Sequence, residues 1–329
     1  SGILNSVHTF ANDPNRGIFI LLFLFMLILL SIVIYFLFQK NEKPIIKDTF
    51  LLSKETSLVI NNWFMMYFLS VVLIGTIYPI ILEVLTNNKV SIGPPFYHKL
   101  LSPFLIPFLI IMAFGPKLKW IKTKFSKIEL INLFYLIISL LISIFIISFT
   151  ETKYLFSTVL FGASFFLLFK TIEEFFIKNY NFSQKISHLA FSIFILSILI
   201  NGIFSTEFST NMKFGDEKKI NDIYIKFTNL ETLNKENYKS IITSFRIKDE
   251  KGKIMSFNPE VRIYNQPEIL TSEADIKSNF FSDNFLVVNL LKDDGYFNVR
   301  YQVKPFMLWI WSSIVLLTFG GLLSLFRKS

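Results

Sequence analysis

Cysteine is absent from this 329-residue sequence, which excludes a disulfide scaffold, thiolate metal sites and a cysteine nucleophile. Histidine is scarce: His8, His98 and His188 are the three present, so a catalytic or metal site can draw on very few imidazoles. Charge is sparse as well. Asp, Glu, Lys and Arg make up 17% of the chain, against about 25% in an ordinary soluble domain, and this excludes a single water-soluble globule. No Ser-His-Asp set, glycine-rich phosphate loop or paired-carboxylate constellation is visible. The chain begins at Ser1, and no charged n-region precedes a short apolar run, so no signal peptide is read there. What is abundant is apolar surface. Hydrophobic residues are 52% of the chain, phenylalanine alone supplies 40 positions, and the mean hydropathy is +0.52; disorder is thereby excluded too.

A bilayer core of about 30 Å is crossed by about 20 apolar helical residues. Seven stretches qualify, at 17–38, 58–82, 102–118, 129–149, 154–172, 186–204 and 305–326. The third is the weakest, because Pro103, Pro107 and Pro116 interrupt it. A polar block, 205–304, separates the last two. Lysine and arginine in the short loops set the orientation. With the N-terminus outside, the inner segments hold Lys40, Lys43, Lys47, Lys54, Lys117, Lys119, Lys122, Lys124, Lys127, Lys170, Lys178, Lys185, Arg327 and Lys328, fourteen in all. The outer ones hold only Arg16, Lys89, Lys99 and Lys153, which is four. Block 205–304 is therefore expected outside, and the C-terminus in the cytoplasm.

The net charge of +9 follows from the same bias. Block 205–304 carries fifteen basic and fifteen acidic residues and contributes nothing. A pI near 9.4 thus reflects topology and not nucleic-acid binding. Within the block, residues 223–227 alternate, 241–247 run into a turn-like Lys248–Lys253, and 285–291 and 296–303 flank Asp293-Asp294-Gly295, a strong hairpin signal. The expected fold is a polytopic α-helical membrane protein of about seven transmembrane helices with a small extracytoplasmic antiparallel β domain. Residues 1–204 form a six-helix region led by an outer-face segment at 1–17. Residues 205–304 form the β domain, and 305–329 the last helix and tail. Asn181-Phe182-Ser183 matches a glycosylation sequon but falls on the inner side.

His188 falls in the first turns of the sixth span, where an ionisable side chain is costly and suggests function. A neutral histidine bonded between helices, or resting at the interface, is an equal reading. If it is a ligand, haem iron suits a lone buried imidazole, whereas zinc wants three or four ligands. His8 precedes the first span, whose start is specified by Asp13 as cap and Pro14 at the first position. Taken alone, His8 and His98 read as plain interfacial residues. Arg16, Tyr78, Phe96, Tyr97, Trp309 and Trp311 read first as an interfacial belt, and Glu173 and Glu174 as solvated residues at the inner end of the fifth span. The spans lack the scattered acids of an ion pathway.

These residues together resemble one family. Ser1 to Gly17, with Ser6-Val7-His8, is similar to the outer-face segment that follows the tryptophan-rich haem-handling motif of CcmF, the haem lyase of bacterial cytochrome c maturation. Matching stretches follow in order: Ser53–Thr56 with Asn61-Asn62, Gly75-Thr76 before Pro79, Ser91–Phe96, Gly115-Pro116 with Trp120, Ser187-His188-Leu189, Arg262-Tyr264-Asn265, Lys304-Pro305-Phe306, Trp309-Ile310-Trp311 and Gly320-Gly321. They run the length of the chain.

The resemblance implies that His8 is an axial ligand for incoming haem at the outer face, delivered by the haem chaperone CcmE, and so is catalytic. It implies that His188 binds a resident haem b within the membrane, reduced by quinol, which keeps the substrate iron ferrous while CXXCH thiols of apocytochrome c form thioethers. His98 has no such role. CcmH-type apocytochrome-binding proteins are the further partners implied, and the bacterial inner membrane, with a periplasmic β domain, is the expected location. The tryptophan-rich motif and both partner histidines lie in the family's N-terminal half, so this chain alone is expected to bind neither haem well. It reads as a truncated part or one half of a split lyase, and the Ser1 start favours truncation. A non-catalytic scaffold subunit is the alternative. A transporter would need broken spans and buried charges in two symmetric halves, and neither is seen. His188 lies sixteen residues from Phe204, about 24 Å along a helix, so His8 and His188 are expected to serve two different haems.

Overall fold

A computed structural model describes residues 14–39, 50–86, 90, 92–123, 130–150, 155–177, 180–220, 223–248, 252–265, 268–291 and 295–326. Among them are seven α-helices: α1 Pro14–Phe38, α2 Lys54–Thr86, α3 Pro94–Phe114, α4 Leu130–Ser148, α5 Leu155–Phe176, α6 Phe182–Phe204 and α7 Met307–Leu325. The helices α2 to α7 are long and apolar enough to cross a bilayer, and α1 contributes the apolar stretch Leu22–Phe38. The chain divides into two units, 1–129 and 130–329, each described by itself.

In the first unit, α2 starts where Ser53 accepts the backbone N–H of Thr56 on its hydroxyl at 3.2 Å, an N-cap that satisfies one of the free donors of the first turn. The Glu55 carboxylate accepts the N–H of Ile121, a residue held at φ 72°. Lys54 N–H donates to the Lys119 carbonyl and Thr123 N–H to that of Leu52. Thus Leu52–Glu55 and Lys119–Thr123 form one clasp. The structure corrects the expectation that prolines interrupt the third span. α3 continues through Pro103 and Pro107 and ends only at a 3-10 turn, Gly115–Lys117. Neighbouring groups re-satisfy the backbone around interior prolines in membrane helices. Helix α2 packs alongside: the Tyr67 hydroxyl donates to the Leu100 carbonyl at 3.0 Å, and Phe64 and Phe68 pack edge-on against Phe108.

In the second unit α4 packs on α5, α5 on α6, and α6 on α7. The strands follow α6: β1 Thr206–Met212, β2 Glu217–Ile220, β3 Ile223–Asn234, β4 Tyr238–Lys248, β5 Ile254–Phe257, β6 Glu260–Asn265, β7 Glu268–Glu273, β8 Asp275–Ser278, β9 Ser282–Leu290 and β10 Phe297–Pro305. One sheet has the order β1-β10-β9-β8; the other has β2-β3-β4-β6-β7, with β5 also on β4. All pairings are antiparallel. The anticipated hairpin is β9–β10, in register Leu290↔Phe297, with Gly295 at φ 69°, a conformation that glycine adopts without strain.

Alternation places Leu286 and Val288 of β9, and Val299 and Tyr301 of β10, on one buried face. Opposite them lie Phe227 and Phe245, stacked at 4.5 Å, with Phe297 edge-on to Phe227 at 5.6 Å. Each such side chain contributes about 1.5–3 kcal/mol by leaving water. β1 follows α6 directly and β10 leads directly into α7. Their pairing, with Thr206 opposite Val303, therefore brings the end of α6 beside the start of α7. The Asn201 amide closes the corner on the Pro305 carbonyl at 2.6 Å.

Candidate functional site

Ile177 to Asn181 is the only chain between α5 and α6. Short connections make antiparallel neighbours, so the last turns of α5 face the first turns of α6. Two contacts mark this seam. The Thr171 and Ser192 hydroxyls meet at 3.0 Å. Further toward the α5 C-terminus, His188 Nδ1 lies 2.9 Å from Glu174 Oε2 and 3.2 Å from Oε1. The Glu174 side chain is only 4% exposed, and that of His188 is 27% exposed.

A carboxylate can only accept, so Nδ1 is the donor of this pair, and in a neutral ring the lone pair is then on Nε2. Among the described residues Nε2 has no hydrogen-bond partner, which leaves, on a side chain 27% exposed, a nitrogen able to ligate a metal. Glu174 is thus no solvated residue, as its position near the end of a span had suggested. The helix continues to Phe176, and α6 folds back over it.

Lys170, counted above as an inner-loop cation, lies inside α5 and is 1% exposed. Its ammonium donates to Asn132 Oδ1 of α4 at 2.8 Å and to Glu173 Oε2 at 2.7 Å. Buried lysines are rare unless paired, and this one ties α4 to α5 one turn from Glu174. On another side of α6, Ser183 donates to the Gly320 carbonyl at 2.6 Å, and a Cβ at Gly320 would collide with the Ser187 hydroxyl. α7 therefore presses on α6 next to His188. Glu174, Lys170 and Asn132 had gone unnoticed as parts of a site. The available signal was a Lys-x-x-Glu-Glu run one tight turn away from a span histidine.

The other expected residues are not gathered here. His8 lies outside the described residues, as does the side chain of Arg16. His98 is exposed in the first turns of α3, where Phe96 and Tyr97 stack edge to face at 5.3 Å. Tyr78 and Trp311 are exposed. Trp309 does more than anchor: its indole N–H donates to the Phe280 carbonyl at 3.1 Å, and the two rings pack at 5.0 Å. The turn between β8 and β9 is thereby pinned to the start of α7. Among the described residues no group of three or more His, Asp or Glu could hold a metal ion.

Outside the helices, Arg300 bonds Glu207 across β10 and β1, and the guanidinium holds that carboxyl below its usual value near 4.5. Glu260 is held down likewise, first by Arg262 and then by the Ser240 hydroxyl.

Residues 203–305 match the family described as the CcmF C-terminal beta-sandwich. The chain is 28% identical to the cytochrome c-type biogenesis protein ccl1 of Rhodobacter capsulatus, over 99% of its own length and 52% of that protein. It is 28% identical to CcmF of Escherichia coli, over 99% of this chain and 52% of that one. For CcmF of Haemophilus influenzae the values are 27%, 100% and 53%. The chain spans about half the length of the curated relatives it matches. A solved structure, Cytochrome c Heme Lyase CcmF, shares the fold with a TM-score of 0.66 at 19% identity, covering 84% of this chain and 46% of that one.

Proposed function

From a chain that carries the CcmF C-terminal β-sandwich and is related along its whole length to CcmF-type cytochrome c biogenesis proteins, we propose that it works as part of a cytochrome c haem lyase. The carrying observation is the His188–Glu174 pair. A histidine that ligates iron almost always donates its other N–H to a carboxylate, carbonyl or water. With its bond at 2.9 Å to a buried carboxylate, and no partner for Nε2 among the described residues, His188 would hold the iron of a haem b within the membrane. Such a haem supplies one-electron transfer, here from quinol toward substrate iron. The chain's own residues hold the ligand still: Glu174 fixes the ring, Thr171 and Ser192 fix the α5–α6 spacing, and Gly320 lets α7 close on Ser187.

His8 is the proposed outer-face ligand of the haem that is attached. In that reaction each CXXCH thiol adds across a vinyl double bond, forming a C–S bond while the thiol proton ends on the neighbouring vinyl carbon. The lysine and arginine bias of the short loops supports a reading in which the β-sandwich faces the periplasm and the C-terminus the cytoplasm of a bacterial inner membrane. There a CcmE-type chaperone and CcmH-type proteins with apocytochrome meet the outer face. α6 runs unbroken from His188 to Phe204, about 24 Å at 1.5 Å per residue, so His188 lies a long way along α6 from the β-sandwich end of that helix. Holocytochrome c formation in cells carrying His8→Ala tests this. Loss of covalent haem supports the lyase, whereas full maturation assigns the chain to scaffolding.

A further inference from the structure

The carboxylate at Glu174 has no role in the family resemblance, and its surroundings single it out. A carboxyl group at membrane depth is costly and is kept where it has a partner. Lys170 lies one turn away, yet its ammonium donates to Asn132 and Glu173. Both Glu174 oxygens instead approach His188 Nδ1, at 2.9 and 3.2 Å. The Lys170 cluster already ties α4 to α5, and Thr171 with Ser192 ties α5 to α6, so helix packing is secured independently of Glu174. What this carboxylate alone supplies is the orientation and tautomer of one imidazole whose far nitrogen is unpartnered among the described residues.

We propose that Glu174 is the positioning residue for His188: it locks the ring and, by accepting the hydrogen bond of Nδ1–H, makes Nε2 a stronger donor to iron. This rests on the reading of His188 as a haem ligand. A carboxylate acceptor lends the imidazole anionic character and stabilises ferric over ferrous iron, so Glu174 sets the potential of the haem as well as holding its ligand.

The test uses the protein together with the remaining half that its relatives carry, purified from membranes with its bound haem. Reduced-minus-oxidised spectra and redox titration compare the parent with Glu174→Gln, Glu174→Ala and His188→Ala, with melting curves run on each. Glu174→Gln keeps a neutral acceptor in the same place; it is expected to retain haem and move the midpoint to a more positive potential. Glu174→Ala is expected to weaken haem retention about 10- to 100-fold, and His188→Ala to abolish it. An unchanged midpoint in Glu174→Gln, with unchanged retention in Glu174→Ala, overturns the positioning role while leaving His188 as ligand. Undiminished haem in His188→Ala overturns both.

Discussion

Gly320 and Gly321 are adjacent on α7, and the same substitution at each should have opposite effects. Replacing a helical glycine by alanine favours the helix by about 1 kcal/mol, and at Gly321, where a Cβ meets nothing within 4 Å, that gain stands alone. At Gly320 the added methyl lands on the Ser187 hydroxyl, 3.1 Å from the Ser187 nitrogen and 3.3 Å from the Ser183 carbonyl. The hydroxyl can rotate, but the two backbone atoms move only if α6 and α7 part, which also stretches the Ser183–Gly320 hydrogen bond of 2.6 Å. Overpacking of this kind costs about 1–3 kcal/mol, so Gly320→Ala should lie lower than Gly321→Ala by about that amount. Thermal unfolding of the two variants in the same detergent measures the difference directly, with helix propensity common to both. Equal shifts, or a more stable Gly320→Ala, would refute the close approach of the two helices.

Two further outcomes are expected. Phe227→Ala removes a fully buried ring stacked on Phe245 and edge-on to Phe297; it should cost about 3–5 kcal/mol, read from denaturant unfolding of the β-sandwich. The carboxyls of Glu207 and Glu260 are held below their usual value near 4.5, so their contribution is present above that pH and is lost as pH falls through their lower folded values. The Arg300–Glu207 pair is about half exposed, so the loss is small and salt-sensitive. Acid titration of the unfolding midpoint should show it, with a shallower slope in Glu207→Gln.

Much of this architecture is written in local patterns. Long apolar runs have one way to satisfy their backbone in lipid, so 17–38 or 129–149 could only be helices, and Asp293-Asp294-Gly295 between alternating strands marks the β9–β10 hairpin. β1 was illegible, because Thr206–Met212 is a half-polar edge strand whose identity depends on β10, ninety residues away. The division of strands between two sheets is a matter of such distant pairings and leaves no local trace.

At the site, His188 was visible because a histidine in an apolar span is conspicuous. Glu174 was not, because its burial comes from α5 continuing to Phe176 and α6 folding back over it. Lys170 shows the same limit. Charge counting placed it in a loop, although it is buried within a helix; without it the inner count is thirteen against four, and the orientation inferred is the same.

The most direct measurement replaces His188 by glycine in the protein together with its complementary half and records the reduced haem spectrum with and without added imidazole. His188→Gly should lose the b-type signal and regain it as imidazole fills the vacated position beside Glu174. A spectrum indifferent to both the substitution and the imidazole would contradict His188 as the ligand.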